Sequence, residues 1–402
     1  MSLKGFVRIC ILLGLLLPIV AQDEDSAMEG LLSSVSMEQF RMKKRGTRGL
    51  LVVPGVGRAD RLATLAESLR LLYPYLKGET SQWDCIVYVY APRSETSFWG
   101  STELLKKVRS VCEIVENPNK RVTDNMRAVQ PSLIKRHYNY VFILLDDCKL
   151  VPSTPQSLSW DLQKLLDLMI YNGLSVATPR IENANTGGGQ QFRKIMQATS
   201  ATGTEGYVSS FVEIFAWVMT MDAFEALWGL LLPEVNPYGW GYDFWYNGYA
   251  QKLVAESMGG SGTEKKHKMG IVTSITAKHE QSIKEEDNGS TDGRAESATV
   301  KEKWGAVQEQ ERYYKKYLGV DLKAMSNKME LANMSWNGAV KGYLLPVPET
   351  YTKLKVGLIA GPRGKGGKGG KGGKGGKGGK GGKRKPKIGM GRGVGGAGTV
   401  EE

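Results

Sequence analysis

The 402-residue chain predicts an α/β fold with a mainly parallel central sheet. Two observations carry that expectation. Through the first half, apolar runs of strand length alternate with stretches of helical spacing, the βαβ pattern. The runs are apolar nearly throughout rather than at every second residue, as in strands covered on both faces. The length and a hydrophobic content of 41% suffice for one large α/β domain or two smaller ones.

Regular patterning begins at Gly49. Leu50–Val53 is a short apolar run ended by Pro54-Gly55, a strand followed by a turn. Leu62, Leu65, Leu69 and Leu72 give Arg58–Leu72 helical spacing. Cys85–Tyr90 is a β-branched and aromatic strand, Leu104–Val108 a helix, Val111–Val115 a strand and Ala128–His137 a helix. The apolar strand Tyr140–Leu145 follows, then the helix Leu158–Tyr171 and the strand Leu174–Thr178. The second half changes character. Thr186–Gly189 is a glycine-rich loop, Val212–Thr220 a strand, Met221–Leu232 a helix and Tyr238–Tyr249 an aromatic cluster. A last strand lies near Met269–Ile275. After a polar stretch with the turn signal Asp287-Asn288-Gly289, Val300–Leu318 reads as a charged amphipathic helix packed on the body.

Flanking segments give the chain its address and its charge. Lys4 and Arg8 precede the apolar run Ile9–Val20, and Ala21 offers a small residue for cleavage, so residues 1–21 read as a signal peptide. The run falls short of the ~20 apolar residues of a membrane span, so an uncleaved anchor is the lesser alternative. Either places the body in the secretory pathway lumen, in the ER or Golgi, or outside the cell. Residues 22–48 form a stem or linker, 49–300 the principal domain, 301–360 a helical extension and 361–402 a Gly-Gly-Lys tail. That tail carries nine Lys and three Arg against two Glu, ten of the chain's thirteen net positive charges. The body is therefore near neutral, and charge gives no reason to expect specific nucleic-acid binding. A repeat so rich in glycine cannot bury a core and is expected to be disordered, either as a polyanion-binding brush or as a solvated tail.

Outside the signal, Cys85, Cys112 and Cys148 remain, with no zinc-module spacing. In an oxidising lumen one pair is expected to bridge. Cys85 and Cys112, in consecutive predicted strands, are the favoured pair; three buried thiols are the alternative. Asn288-Gly289-Ser290 and Asn333-Met334-Ser335 fit the N-glycosylation sequon.

Three clusters could carry chemistry. In Leu144-Leu145-Asp146-Asp147-Cys148 an apolar strand runs into two carboxylates at its carboxyl end, where ligands of open α/β sheets bind. Like charges there repel, so an empty pair is expected to be unfavourable, and Mn²⁺ or Mg²⁺ would relieve it. The alternative is a solvated loop. In Gly239-Trp240-Gly241-Tyr242-Asp243 two glycines flank a large ring, with a carboxylate close behind. Such a segment suits a sugar stacked on the indole, and an acid among aromatics can act as a base; a core cluster with a helix-capping Asp is the alternative. His279, in Lys278-His279-Glu280, follows the last strand as a candidate metal ligand.

In their order along the chain these features resemble the GT-A glycosyltransferase superfamily, with its Rossmann-like domain. The nearest likeness is to a poorly characterised GT-A-like family of plants and algae, in which a segment like Pro54-Gly55-Val56-Gly57-Arg58 opens the domain. The resemblance spans about residues 49–280. It implies that Asp146 and Asp147 form a DxD-like element and His279 the distal ligand of Mn²⁺ or Mg²⁺. It implies that Arg58 and Asp146 contact the nucleotide-sugar, that Trp240, Tyr242 and Glu213 contact substrate, and that Asp243 is the acceptor's base. The third DxD position is Cys148 here, which leaves metal dependence open. The expected activity is transfer of a hexose-like sugar from a nucleotide-sugar to a glycan or glycoprotein. The alternative is a non-catalytic secreted matrix or carbohydrate-binding protein whose cationic tail holds polyanions.

Overall fold

The computed structural model describes residues 49–77, 81–118, 120–183, 196–199, 201–257, 267–280, 300–325 and 340–347. The signal segment, the stem, the loop at 186–189, the polar stretch after Gln281, both sequons and the Gly-Lys tail lie outside them.

The first half follows the predicted alternation. Strand β1 (Gly49–Val56) leads into α1 (Ala59–Leu76), and β2 (Trp83–Val89) into α2 (Thr96–Trp99) and α3 (Thr102–Val111). Strand β3 (Glu113–Glu116) precedes α4 (Val122–Ala128) and α5 (Pro131–Ile134), which lead to β4 (Tyr140–Leu144). The helix expected at Ala128–His137 is shorter, Pro131–Ile134, with α4 ending at Ala128 before it, because Pro131 suits the first turn of a new helix better than the interior of a continued one. Every residue of β1 and β2 is buried, the condition their unbroken apolar runs require. On α1, Leu62, Leu65, Leu69 and Leu72 face the core as their spacing predicts.

The second half adds β5 (Cys148–Val151), α6 (Leu162–Tyr171), β6 (Val176–Glu182), β7 (Gly206–Ser209), β8 (Ala216–Thr220), α7 (Met221–Leu230), α8 (Tyr242–Ser257) and β9 (Met269–His279). After it come α9 (Val300–Tyr313), a π-turn (Tyr314–Leu318), α10 (Leu322–Met325) and β10 (Val340–Leu344). The sheet order is β10-β7-β9-β6-β8-β4-β1-β2-β3, with β5 paired to β9. Strands β1–β4, β6, β9 and β10 run one way and β5, β7 and β8 the other, so the sheet is mixed but mainly parallel in direction.

Two details of this sheet position the site. Strands β1 and β4 pair in parallel, Gly49 opposite Tyr140, so their carboxyl ends emerge side by side. Along β6 and β9 the register jumps: Pro179 pairs with Val272 and Arg180 with Thr276. Thr273–Ile275 are thus looped out, and the last four residues of β9 are free to pair with β5, His279 opposite Cys148. The disulfide Cys85–Cys112 ties β2 to the residue after α3, as favoured from the sequence, and Cys148 is a buried thiol. Helix α9 packs on the body as expected: Tyr314 donates to the Gly229 carbonyl at 2.7 Å, and Gln310 bridges Asn236 and Leu230. Among the described residues no helix is long and apolar enough to cross a membrane.

Candidate functional site

Asp146 and Asp147 occupy the turn between β4 and β5. The turn is closed by a bond from the Cys148 amide to the Leu145 carbonyl at 3.1 Å, and Leu145 is held by the Phe215 carbonyl at 2.9 Å. Because β5 pairs with β9, His279 comes beside Asp147: Nε2 lies 3.2 Å from Oδ2. The Glu280 amide donates to the Asp147 carbonyl at 2.7 Å. Phe215 stacks on the His279 ring with centroids 4.6 Å apart.

The electrostatics of the turn differ from the simple repulsion expected of two adjacent acids. Burial opposes the charge on Asp147, but His279 beside it, helped by Arg61, outweighs that and holds its carboxyl below the ordinary value. Asp147 Oδ1 is buried with no hydrogen-bond partner among the described residues. An anion with one oxygen so placed is a natural acceptor for a cation or a donor group. Burial, together with Asp147, pushes the neighbouring Cys148 thiol up, so it stays protonated and inert.

Glu213 lies just before β8 and joins this group. Burial raises its carboxyl well above the ordinary value, and the charges of Asp243 and Asp147 raise it further. Its Oε2 is also buried without a hydrogen-bond partner among the described residues. Glu213 therefore feels both acids, Asp147 at the end of β4 and Asp243 at the start of α8. The peptide is anchored by its carbonyl, which accepts from Trp217 Nε1 at 2.7 Å.

Asp243 is in the first turn of α8, where its Oδ1 accepts from the Phe244 amide at 3.0 Å. An acid at a helix N-terminus is stabilised as an anion. Gly239 and Gly241 both take left-handed φ, +78° and +85°, so the chain can turn around Trp240 as only glycine does readily. Trp240 meets the edge of Trp304 at 5.6 Å, and Lys303 Nζ lies 5.2 Å from its ring centre. A line of stacked rings, Phe211, Phe244 and Trp304, connects the Glu213 segment to α8 and α9.

The structure thus brings together Asp146, Asp147, His279 and Glu213, with Asp243 in electrostatic reach. Two expected contacts fall differently. Tyr242 is a core residue: it is fully buried, and its hydroxyl accepts from the Leu232 amide at 3.2 Å. Arg58 stands just before α1 without capping it through its side chain, which forks onto Asp60 at 3.0 and 2.7 Å. Sequence reasoning missed Arg61, whose place as the third residue of α1, close behind β1, was its only signal. It also missed Phe215, hidden inside an apolar run.

Among the described residues no three His, Cys, Asp or Glu side chains are grouped to hold a metal ion on their own. Asp147 and His279 supply an oxygen and an imidazole side by side, with a buried carboxylate oxygen to spare. That set fits Mn²⁺ or Mg²⁺ only as a shared site completed by substrate oxygens or water, the usual arrangement for Mg²⁺.

No protein-family model matches the chain, and no curated protein matches it. Solved structures show weak likeness. GalNAc-T7 with UDP, GalNAc and Mn²⁺ aligns at 12% identity and a TM-score of 0.41, over 73% of this chain. The chain spans only 55% of that transferase's length. A mannosyltransferase from Pyrobaculum calidifontis, in complex with GDP-Man and Mn²⁺, aligns at 8% identity and a TM-score of 0.34, over 79% of this chain and 81% of the other. A197 from STIV aligns at 11% identity and a TM-score of 0.30, over 58% and 86%. Scores this low carry no functional assignment, which rests on the chain's own residues.

Proposed function

We propose that the protein is a glycosyltransferase of GT-A type that moves a sugar from a nucleotide-sugar to a glycan or glycoprotein acceptor in the secretory-pathway lumen. The observation that carries this reading is the Asp147–His279 pair at the carboxyl end of β4, with Asp147 held as an anion and one of its oxygens buried without a hydrogen-bond partner among the described residues. Ligand sites of open α/β sheets lie at such strand ends. The Cys85–Cys112 disulfide and the N-terminal apolar segment support an oxidising, luminal setting.

Asp146, Asp147 and His279 would hold the cation with the donor's diphosphate. Mn²⁺ or Mg²⁺, when bound, supplies positive charge to the diphosphate as it leaves. The acceptor oxygen attacks the anomeric carbon, the bond from that carbon to the diphosphate oxygen breaks, and the electron pair leaves with the diphosphate. Asp243, in the first turn of α8, takes the acceptor's proton. Glu213, carrying its own proton, donates a hydrogen bond to a sugar hydroxyl, and Trp240 offers a ring for the sugar's C–H face.

Thermal shift of the purified protein with Mn²⁺ and uridine or guanosine diphosphate, followed by a screen of nucleotide-sugars, tests the reading. A cation at about 100 times its dissociation constant adds about 2.7 kcal/mol to stability. Asp147→Asn should abolish transfer and the metal response. Simple repulsion would make that variant more stable than wild type; the lowered carboxyl predicts the reverse. A group whose folded pKa is depressed stabilises the fold above its unfolded pKa and stops doing so as pH falls through the folded one. Asp147→Asn should therefore melt lower than wild type at neutral pH and converge with it in acid. A wild type deaf to both metal and nucleotide would hand the lead to a non-catalytic matrix protein.

A further inference from the structure

Arg61 is buried, 5% exposed, in the first turn of α1. Arginine is rarely buried without opposing charge or acceptors. Its place follows from the sheet. Strands β1 and β4 run side by side in parallel, so the turn after β1 delivers the start of α1 next to the Asp146-Asp147 turn after β4. The Arg61 guanidinium donates to the Glu280 carbonyl at the end of β9. The Glu280 amide donates in turn to the Asp147 carbonyl at 2.7 Å, and His279 in between meets the Asp147 carboxylate at 3.2 Å. Three elements, α1, the β4–β5 turn and the end of β9, are thus linked in series through Glu280 and His279.

We propose that Arg61 is a resident counter-charge for Asp147, a positioning residue that competes electrostatically with a divalent cation at this carboxylate. This deepens the transferase reading and rests on it for the identity of the site. Arg61 stands one residue removed from the Asp147 turn: Glu280 takes the guanidinium on its carbonyl and gives its amide to the Asp147 carbonyl. The turn also has Cys148, not a third acid, after Asp147. With the Arg61 guanidinium on the adjoining Glu280 carbonyl, a fixed positive charge stands near Asp147 before any metal arrives. A bound cation then shares its carboxylate with a fixed positive charge, and the two repel in a medium less screening than water. The coupling is reciprocal: what Arg61 contributes to the empty site, it subtracts from cation affinity.

The sign of one measurement separates this from a merely structural role. If Arg61 only braces this series of contacts, removing it loosens the ligands and weakens cation binding. If it competes, removing its charge strengthens binding. Calorimetric titration of Mn²⁺ into the full-length protein, with no donor present, reads this directly. Arg61→Gln should tighten the Mn²⁺ dissociation constant by about tenfold, within the 5–150-fold span of ordinary site couplings. Arg61→Lys, which keeps the charge, should stay within about threefold of wild type. The wild type gives a second readout should Arg61→Gln not fold. The Nε resonance of Arg61 should move as Mg²⁺ is added, together with the Asp147 carboxyl carbon. A weaker or unchanged Mn²⁺ affinity in Arg61→Gln overturns the proposal, as does an Arg61 signal unmoved by Mg²⁺. Failure of every nucleotide-sugar to turn over would defeat the transferase reading and leave this binding result standing.

Discussion

Between Gly49 and Leu144 the protein buries apolar strands and staples them with a disulfide; between Asp146 and Glu280 it buries acids, a histidine and a free thiol. Among the described residues between Gly49 and Leu144, buried side-chain polar atoms lacking a hydrogen-bond partner are Arg121 Nη1 and Thr123 Oγ1, both outside the strands, whereas beyond β4 they are more numerous and include Asp147 Oδ1, Glu213 Oε2 and His267 Nε2. Buried polar atoms without partners cost stability, so a fold keeps them only where something else compensates. The comparison places most of the costly buried polar atoms in the half that holds the candidate site.

The largest test removes the staple. Cys85 and Cys112 are 27 residues apart, and loop-closure entropy over that span gives about 3.5 kcal/mol. A Cys85→Ser, Cys112→Ser double variant should lose roughly that in urea unfolding while keeping its Mn²⁺ response. Loss of the response with the fold intact would show that the two halves are not separable.

A slightly smaller effect belongs to His267, which packs edge-on to Tyr246 at 5.1 Å. Burial pushes its imidazole down to about 4. The folded protein keeps it neutral while the unfolded chain protonates near pH 6.5, so stability present above that pH is lost as pH falls toward 4. About 3 kcal/mol should go over that window, at ~1.4 kcal/mol per pH unit. His267→Phe should flatten that limb of a pH–stability curve.

Glu213 should give the smallest change and the opposite sign. Its folded carboxyl titrates well above the ordinary value, so the unfolded chain gives up that proton first and stability falls as pH rises from the normal carboxylate range. Glu213→Gln should melt about 2–4 °C higher than wild type near pH 7.5 and lose the advantage near pH 4. A destabilised Glu213→Gln would mean that the acid is ionised and partnered, and that the contrast between the halves is overdrawn.

The sequence shows the first half more clearly than the second because burial on both faces leaves a mark in every residue. Tyr140–Leu144 is apolar throughout and could be read as a strand in isolation. Strand β5 could not: Cys148–Val151 is four residues long, two of them only partly buried, and exists because β9 pairs with it. Strands β7 and β10 were missed for the same reason, since each is short and made by its partner. In the site, Asp146, Asp147 and Asp243 announce themselves as acids at element ends. Arg61 and Phe215 do not, because an arginine in a helix and a phenylalanine in an apolar run are ordinary until tertiary pairing gives them neighbours. Tyr242 failed in the opposite direction: the glycines around Trp240 drew attention to a ring that belongs to the core.

The three looped-out residues of β9, Thr273–Ile275, join a strand anchored in the sheet to the tip that carries His279, with Thr273 itself held by the Glu205 carbonyl at 2.9 Å. Upstream, Met269–Val272 is fixed by β6 on one side and β7 on the other. Downstream, Thr276–His279 pairs with β5 on one side and, over Thr276–Lys278, with the far end of β6 on the other. If the bulge keeps its three-residue span, a single-residue insertion or deletion there moves the downstream register by one and swaps what faces Asp147. One residue more would offer Lys278 in place of His279, and one fewer would offer Glu280. The same scaffold could thus present this carboxylate with an imidazole, an ammonium or a second acid, so a family of such proteins could vary its chemistry by indels in one loop while its core sequence stood still.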